Sequence, residues 1–262
     1  MRKTRPDFIP GFLLLAILGA LLSCATDKTP LQIENSLPQS ELAYYSDSFD
    51  KMREDLWDRA GYLYQEEQLK NFKQANLLFE NGRLIIQTQT GSFSKGGLSS
   101  RYSLSGDFDI QLNCQMDFIK GISGMDQAFN IGVFEKSLKK GKISFAGIGL
   151  SMKEGSSQGY ISSNCVANGK RKKGSFRKTD NFNGSFRLLR IGKAISTLYK
   201  SAGSPEWTRM NTFRLTDKDM LIGFQVRNFF ANRTTIRANY SISATFDSLK
   251  INAAHAIIEE EI

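Results

Sequence analysis

The chain alternates. From Tyr44 onward apolar and polar side chains change places with a period of two. The clearest run is Phe108-Asp109-Ile110-Gln111-Leu112-Asn113-Cys114-Gln115-Met116-Asp117-Phe118, where six apolar side chains alternate with five polar ones. One face of such a strand is buried and the other is wet. Leu77-Leu78-Phe79, the turn pair Asn81-Gly82 and Leu84-Ile85-Ile86 read as a hairpin. Further strands fall at 98–103, 128–135, 143–152, 158–167, 185–191, 194–200, 207–214, 219–228 and 239–251. In the last of these Tyr240, Ile242, Ala244 and Phe246 share a face, and the apolar parity then passes to Leu249 and Ile251, which predicts a β-bulge. Residues 51–70 are charged and read as a short helix or a long loop. Beyond the N-terminus no segment carries a long stripe of period 3.6. About a dozen strands separated by turn signals predict an all-β fold, a two-sheet antiparallel β-sandwich. It spans 43–253 as one domain, followed by a C-terminal tail, 254–262.

The N-terminus has a different pattern. Arg2, Lys3 and Arg5 precede the eleven-residue apolar run Phe12–Leu22, too short to span a bilayer comfortably and the right length for a signal-peptide core. The run ends Leu21-Leu22-Ser23-Cys24, which resembles a bacterial lipobox, with Leu22 bulkier than usual at its position. The resemblance implies a signal peptide over 1–23, cleavage before Cys24 and lipidation of that cysteine, which anchors the protein to a membrane. The other reading is an ordinary secretory signal with a chance cysteine. Residues 24–42 are polar with two prolines and read as a tether. The expected location is the cell envelope, and the outer membrane if the organism is Gram-negative, since Ala25 and not aspartate follows the cysteine.

Formal net charge is +9, and the signal segment takes a net +2 of it, leaving +7 on the mature chain. A basic excess outside the cytoplasm suggests lipid phosphates or anionic glycans as neighbours, or serves solubility alone; with the export signal it speaks against nucleic acid. The sharpest cluster is Lys170, Arg171, Lys172, Lys173, Arg177 and Lys178, six cations within nine residues, a ligand-binding loop or a solvated turn. Lys136, Lys139, Lys140 and Lys142 form a second run. Cys114 and Cys165 either pair as a disulfide, as an oxidising compartment permits, or stay buried thiols.

Four segments in order resemble the concanavalin A-like lectin/glucanase superfamily, a two-sheet jelly roll. They are Ser48-Phe49-Asp50 with Leu56-Trp57; Glu80-Asn81-Gly82-Arg83-Leu84 with Gly96-Gly97-Leu98 and Gly106-Asp107-Phe108; Phe186 to Gly192 with Tyr199 and Pro205-Glu206-Trp207; and Ala244 to Ile251. The resemblance implies a structural calcium held by the Gly82 carbonyl and Asp247, or else a plain surface aspartate at 247, and no other cofactor. Family 16 of the glycoside hydrolases shares the fold and presents Glu-x-Asp-x-x-Glu on one strand, because retaining chemistry needs two carboxyls ~5–5.5 Å apart. That pattern is missing. Asp107 and Asp109 share a face without a glutamate, and His255, the one histidine, lies outside the predicted strands. Ile122-Ser123-Gly124-Met125 is distantly similar to a segment of 3-keto-disaccharide hydrolases. Trp57, Tyr160, Tyr199, Trp207, Phe229 and Phe230 are core residues or platforms for sugar rings. The expectation is therefore a non-catalytic sandwich that binds carbohydrate or another extracytoplasmic ligand. The alternative is a diverged glycoside hydrolase or lyase acting on polysaccharide.

Overall fold

The computed structural model describes residues 33–59, 71–135, 144–229 and 238–259. A short helix, α1 (Gln39–Tyr45), opens the domain, and the strands follow in chain order. They are β1 (Trp57–Arg59), β2 (Phe72–Gln74), β3 (Asn76–Phe79), β4 (Leu84–Gln87) and β5 (Phe93–Met116); then β6 (Gln127–Glu135), β7 (Phe145–Met152), β8 (Gly159–Ala167), β9 (Lys170–Arg171) and β10 (Ser175–Thr179). The last are β11 (Phe182–Ile191), β12 (Ala194–Ser201), β13 (Thr208–Arg214), β14 (Met220–Arg227) and β15 (Ser243–Glu259).

One long strand builds both layers. The first half of β5 pairs with β14, and the first layer continues β14-β6-β7-β8-β10. The second half of β5 pairs with β11 on one side and β15 on the other, giving the second layer, β3-β4-β15-β5-β11-β12-β13. Gly106, at φ +68, stands where β5 passes from one layer to the other. Alternation then puts Leu98, Phe129, Ile131, Ile148, Leu150 and Phe224 of the first layer against Ile110, Leu112, Phe186, Leu188 and Phe246 of the second, all buried in one core. Phe129 meets Phe246 at 5.0 Å between ring centroids, and the Ser163 and Thr197 hydroxyls join the layers at 2.7 Å. The fold is thus the two-layer antiparallel sandwich that the period of two predicts.

The hairpin forms on the expected turn. Asn81 and Gly82 both take positive φ, 53° and 68°, and Glu80 and Arg83 exchange both backbone hydrogen bonds across them. The expected bulge is present as a register shift between Phe246 and Ser248. Four expectations need correction. Part of the tether is folded: Ile33 packs on Leu189 and Leu198, Leu37 N donates to Ala254 O at 2.8 Å, and α1 starts at Gln39. The tail is largely strand, because β15 continues along β5 to Glu259. The segments 98–103 and 108–118 are one strand, since Gly106-Asp107 bends the chain without ending its pairing. Cys114 and Cys165 are free thiols on the two core-facing surfaces, and the bridge is not formed. Of the charged stretch 51–70, the described part holds β1 and no helix; the remainder lies outside the described residues.

Candidate functional site

The register of the first layer lays its outward side chains in cross-strand rows. One row runs Gly97 (β5), Gln225 (β14), Asn130 (β6), Gly149 (β7), Ser162 (β8) and Phe176 (β10). On one side lies a row of Lys95, Arg227, Ala128, Ser151, Tyr160 and Lys178. On the other, Ser99, Gly223, Gly132, Gly147 and Asn164 stand in line. Six strands at ~4.8 Å spacing make this strip roughly 24 Å long. Its floor is glycine, serine and amide.

Three glycines explain the floor. At Gly149 a Cβ would stand 2.0 Å from Phe129 O, so the neighbouring strand leaves no room for a side chain. At Gly132 and Gly147 a Cβ would fall 2.2 and 2.6 Å from the Phe145 ring, so that ring lies down over both and forms one wall of the strip. Half-buried Tyr160 stands on the opposite side. Gln225 is 5% exposed, and its Oε1 has no hydrogen-bond partner among the described residues. Asn130 is its register partner one strand away.

Carboxylates flank the middle of the strip, past the ends of β6 and β7. Asp126 precedes β6 with the outward parity of Ala128 and Asn130, is buried, and accepts a hydrogen bond on Oδ1 from Glu154 N at 3.0 Å. Glu154 follows β7 in the adjoining turn. The sequence carried no signal for this pairing, because 28 residues separate the two and only the β6–β7 register joins them.

The carboxylates weighed from sequence stand elsewhere. Asp109 points outward from the second layer, where both its oxygens accept from Arg187, at 2.7 and 2.6 Å. Asp107 accepts from Gly192 N at 2.6 Å. His255 lies on β15, its Nδ1 near Asp107 N and its Nε2 2.7 Å from Glu34 O. Gly82 takes its hairpin turn with Asp50 beside it, but Asp247 faces the Arg83 guanidinium at 2.9 Å. Calcium takes six to eight oxygens; this pair offers one carboxylate, already opposite a cation, and the donor set does not fit. Among the described residues no group of three or more His, Cys, Asp or Glu stands together.

Lys170, Arg171, Lys172, Lys173, Arg177 and Lys178 are all exposed, on β9, β10 and the chain between them. Trp57 is buried, donating from Nε1 to Asp47 Oδ2 at 2.7 Å, and Tyr199 and Phe229 are buried too. Trp207 is half-buried over Arg187 and Lys200 on the second layer. Cys24, the four lysines at 136–142 and Phe230 lie outside the described residues.

No family model matches the sequence, and no curated protein does. Solved structures match instead. The catalytic domain of a Thermotoga petrophila endo-1,3-β-glucanase, a laminarinase, superposes with a TM-score of 0.58 at 10% identity, over 83% of this chain and 97% of that one. A Bacillus licheniformis β-glucanase gives 0.54 at 13%, over 84% and 99%. The fold is the concanavalin A-like jelly roll of the glucanases. A Bacteroides ovatus family 16 glycoside hydrolase, solved with a G4G4G3G product, matches at 0.53 and 12%, over 79% and 99%. These neighbours correct the expectation of a non-catalytic module. That expectation rested on a missing carboxylate motif, whereas the sandwich is shared with endo-acting glucanases.

Proposed function

We propose that this chain cleaves polysaccharide as a diverged glycoside hydrolase, with the polymer lying along the strip from β5 to β10. The observation that carries the reading is the Gln225 carbonyl, buried in the floor without a donor among the described residues. A buried acceptor left unpaired costs about 1–3 kcal/mol, and a sugar hydroxyl supplies the missing donor. Asn130 adds a second amide one strand away, so two neighbouring hydroxyls of one sugar can be held together. Phe145 and Tyr160 offer ring faces to the apolar side of the sugar. We assign Asp126 and Glu154 as the acid and base, because they are carboxylates the fold brings beside the middle of the strip and hydrolysis needs two. The glucanase neighbours support the reaction class.

A lyase is the second reading, and one observation favours it. The floor itself bears amides with Tyr160 beside them, and no carboxylate. Elimination from a uronic acid unit needs the sugar's own carboxylate neutralised and a proton acceptor, which those groups can supply. The lipobox-like Cys24 supports action at the cell envelope, on a membrane anchor, and at the outer membrane in a Gram-negative cell.

The test is incubation of the full chain with a panel of β-glucans and uronate polymers. New reducing ends from glucans without unsaturated products support the hydrolase. Ultraviolet-absorbing unsaturated ends support the lyase. No chain shortening across the panel would sink both.

A further inference from the structure

Among the described residues β10 is the outermost strand of the first layer, paired only with β8. Lys170, Arg171, Lys172, Lys173, Arg177 and Lys178 crowd this edge, and none of the six is ion-paired to a described residue. Elsewhere the exposed cations often find partners: Arg83 meets Asp247, Lys120 meets Asp180 and Lys193 meets Asp217. Lysines on an edge strand also deter pairing with another chain. That purpose does not explain Phe176, which stands among them 66% exposed and would favour association.

Register ties these side chains to the strip. Phe176 lies opposite Ser162 and Lys178 opposite Tyr160, so both share the strip's face. Arg171 lies opposite Val166, an alternate position on the same face of β8. Phe176 therefore ends the row that begins at Gly97 and passes through Gln225 and Asn130.

We infer that the β8–β10 edge is an anion-recognising continuation of the strip, and that the polysaccharide taken there is acidic, bearing carboxylate or sulfate groups. This rests on the reading of the strip as a polysaccharide site. Arg171 and Lys178 meet the anionic groups with charge-assisted hydrogen bonds, while Phe176 stacks on the sugar ring between them. Six like charges without a carboxylate among them form a standing positive potential, which an acidic polymer relieves and a neutral one does not.

The experiment measures affinity of the full chain for dextran, dextran sulfate, polygalacturonate and vesicles of equal parts phosphatidylcholine and phosphatidylglycerol. An Arg171→Gln/Lys178→Gln variant and a Phe176→Ala variant are compared, all at exposed positions. The expected result is at least tenfold tighter binding of dextran sulfate or polygalacturonate than of dextran. That preference weakens steeply toward physiological salt and falls at least tenfold in the double variant, and Phe176→Ala weakens both polymers. Equal affinity for neutral and acidic polymers, or an unchanged double variant, overturns the inference and leaves glucan cleavage standing. Acidic polymer bound at the edge without cleavage of any polysaccharide upholds the edge and removes the proposed reaction. Vesicles bound more tightly than either acidic polymer, with loss in the same variants, overturn the inference in favour of a membrane-facing edge.

Discussion

Individual residues separate the groups that hold the fold from those proposed to act on polysaccharide. Asp126→Asn keeps an oxygen for the Glu154 amide, so the local hydrogen bond survives while the acid is lost. The expected effect is a fall in kcat of ~10²–10⁴-fold, the usual worth of a general acid or base, with KM and melting temperature little changed; steady-state kinetics on the best polysaccharide checks it. Gln225→Ala does the opposite, raising KM with a smaller change in kcat, as expected where a hydroxyl loses its partner in ground and transition state alike. Asp109 is structural. Its side chain and that of Arg187 are 4% and 13% exposed, and removing one member of a buried pair costs about 3–5 kcal/mol. Asp109→Ala therefore lowers stability by that order in urea titration without a selective loss of cleavage. Burial pushes the Cys165 thiol up to about 11 and the Cys114 thiol well above its ordinary range. Both are expected to resist a thiol reagent at neutral pH until the protein unfolds, as peptide mapping of labelled cysteines would show.

At the scale of elements, alternation made most strands legible, and the turn pair Asn81-Gly82 located its hairpin because only residues tolerant of positive φ fit there. The bulge after Phe246 was legible for the same reason, since a parity change leaves a mark in the sequence. The 24-residue length of β5 was not. Gly106-Asp107 carries a turn's composition, but β15 pairs with β5 on both sides of it, so the strand continues past the bend. The strip was equally hidden: Gln225, Asn130 and Phe176 come from three distant strands, and register alone sets them in a row. Its glycines are testable. Gly149→Val sets side-chain carbon against Phe129 O and is expected to unfold the β6–β7 pair, whereas Phe145→Ala removes one wall and raises KM while the fold persists. The opening segment carries a pH dependence. Burial raises the Asp47 carboxyl above its ordinary value, against hydrogen bonds from Phe49 N and Trp57 Nε1. A raised folded pKa means tighter proton binding in the folded state, so this contribution is full below the unfolded pKa and is lost as pH rises through the folded one. Asp47→Asn removes that loss, so melting temperature followed as pH rises through the folded pKa is expected to fall less, or climb more, than in the unsubstituted chain.

For the whole molecule, two layers share a core and turn unlike outer faces to solvent. The first presents amides, glycines and aromatic walls, ending in a cationic edge with no ion pair among the described residues. The second presents the Asp109–Arg187 pair under Trp207, sealed by Ile33 of the N-terminal segment. The division predicts which face meets polymer. The direct measurement is a crystal structure of the chain with an oligosaccharide cut from its best polysaccharide. The account predicts sugar rings along the first layer, hydroxyls at Gln225 Oε1 and the Asn130 amide, and a ring against Phe145 or Tyr160. Sugar bound over Trp207 and Arg187 on the second layer, with the Gln225 strip bare, would contradict it.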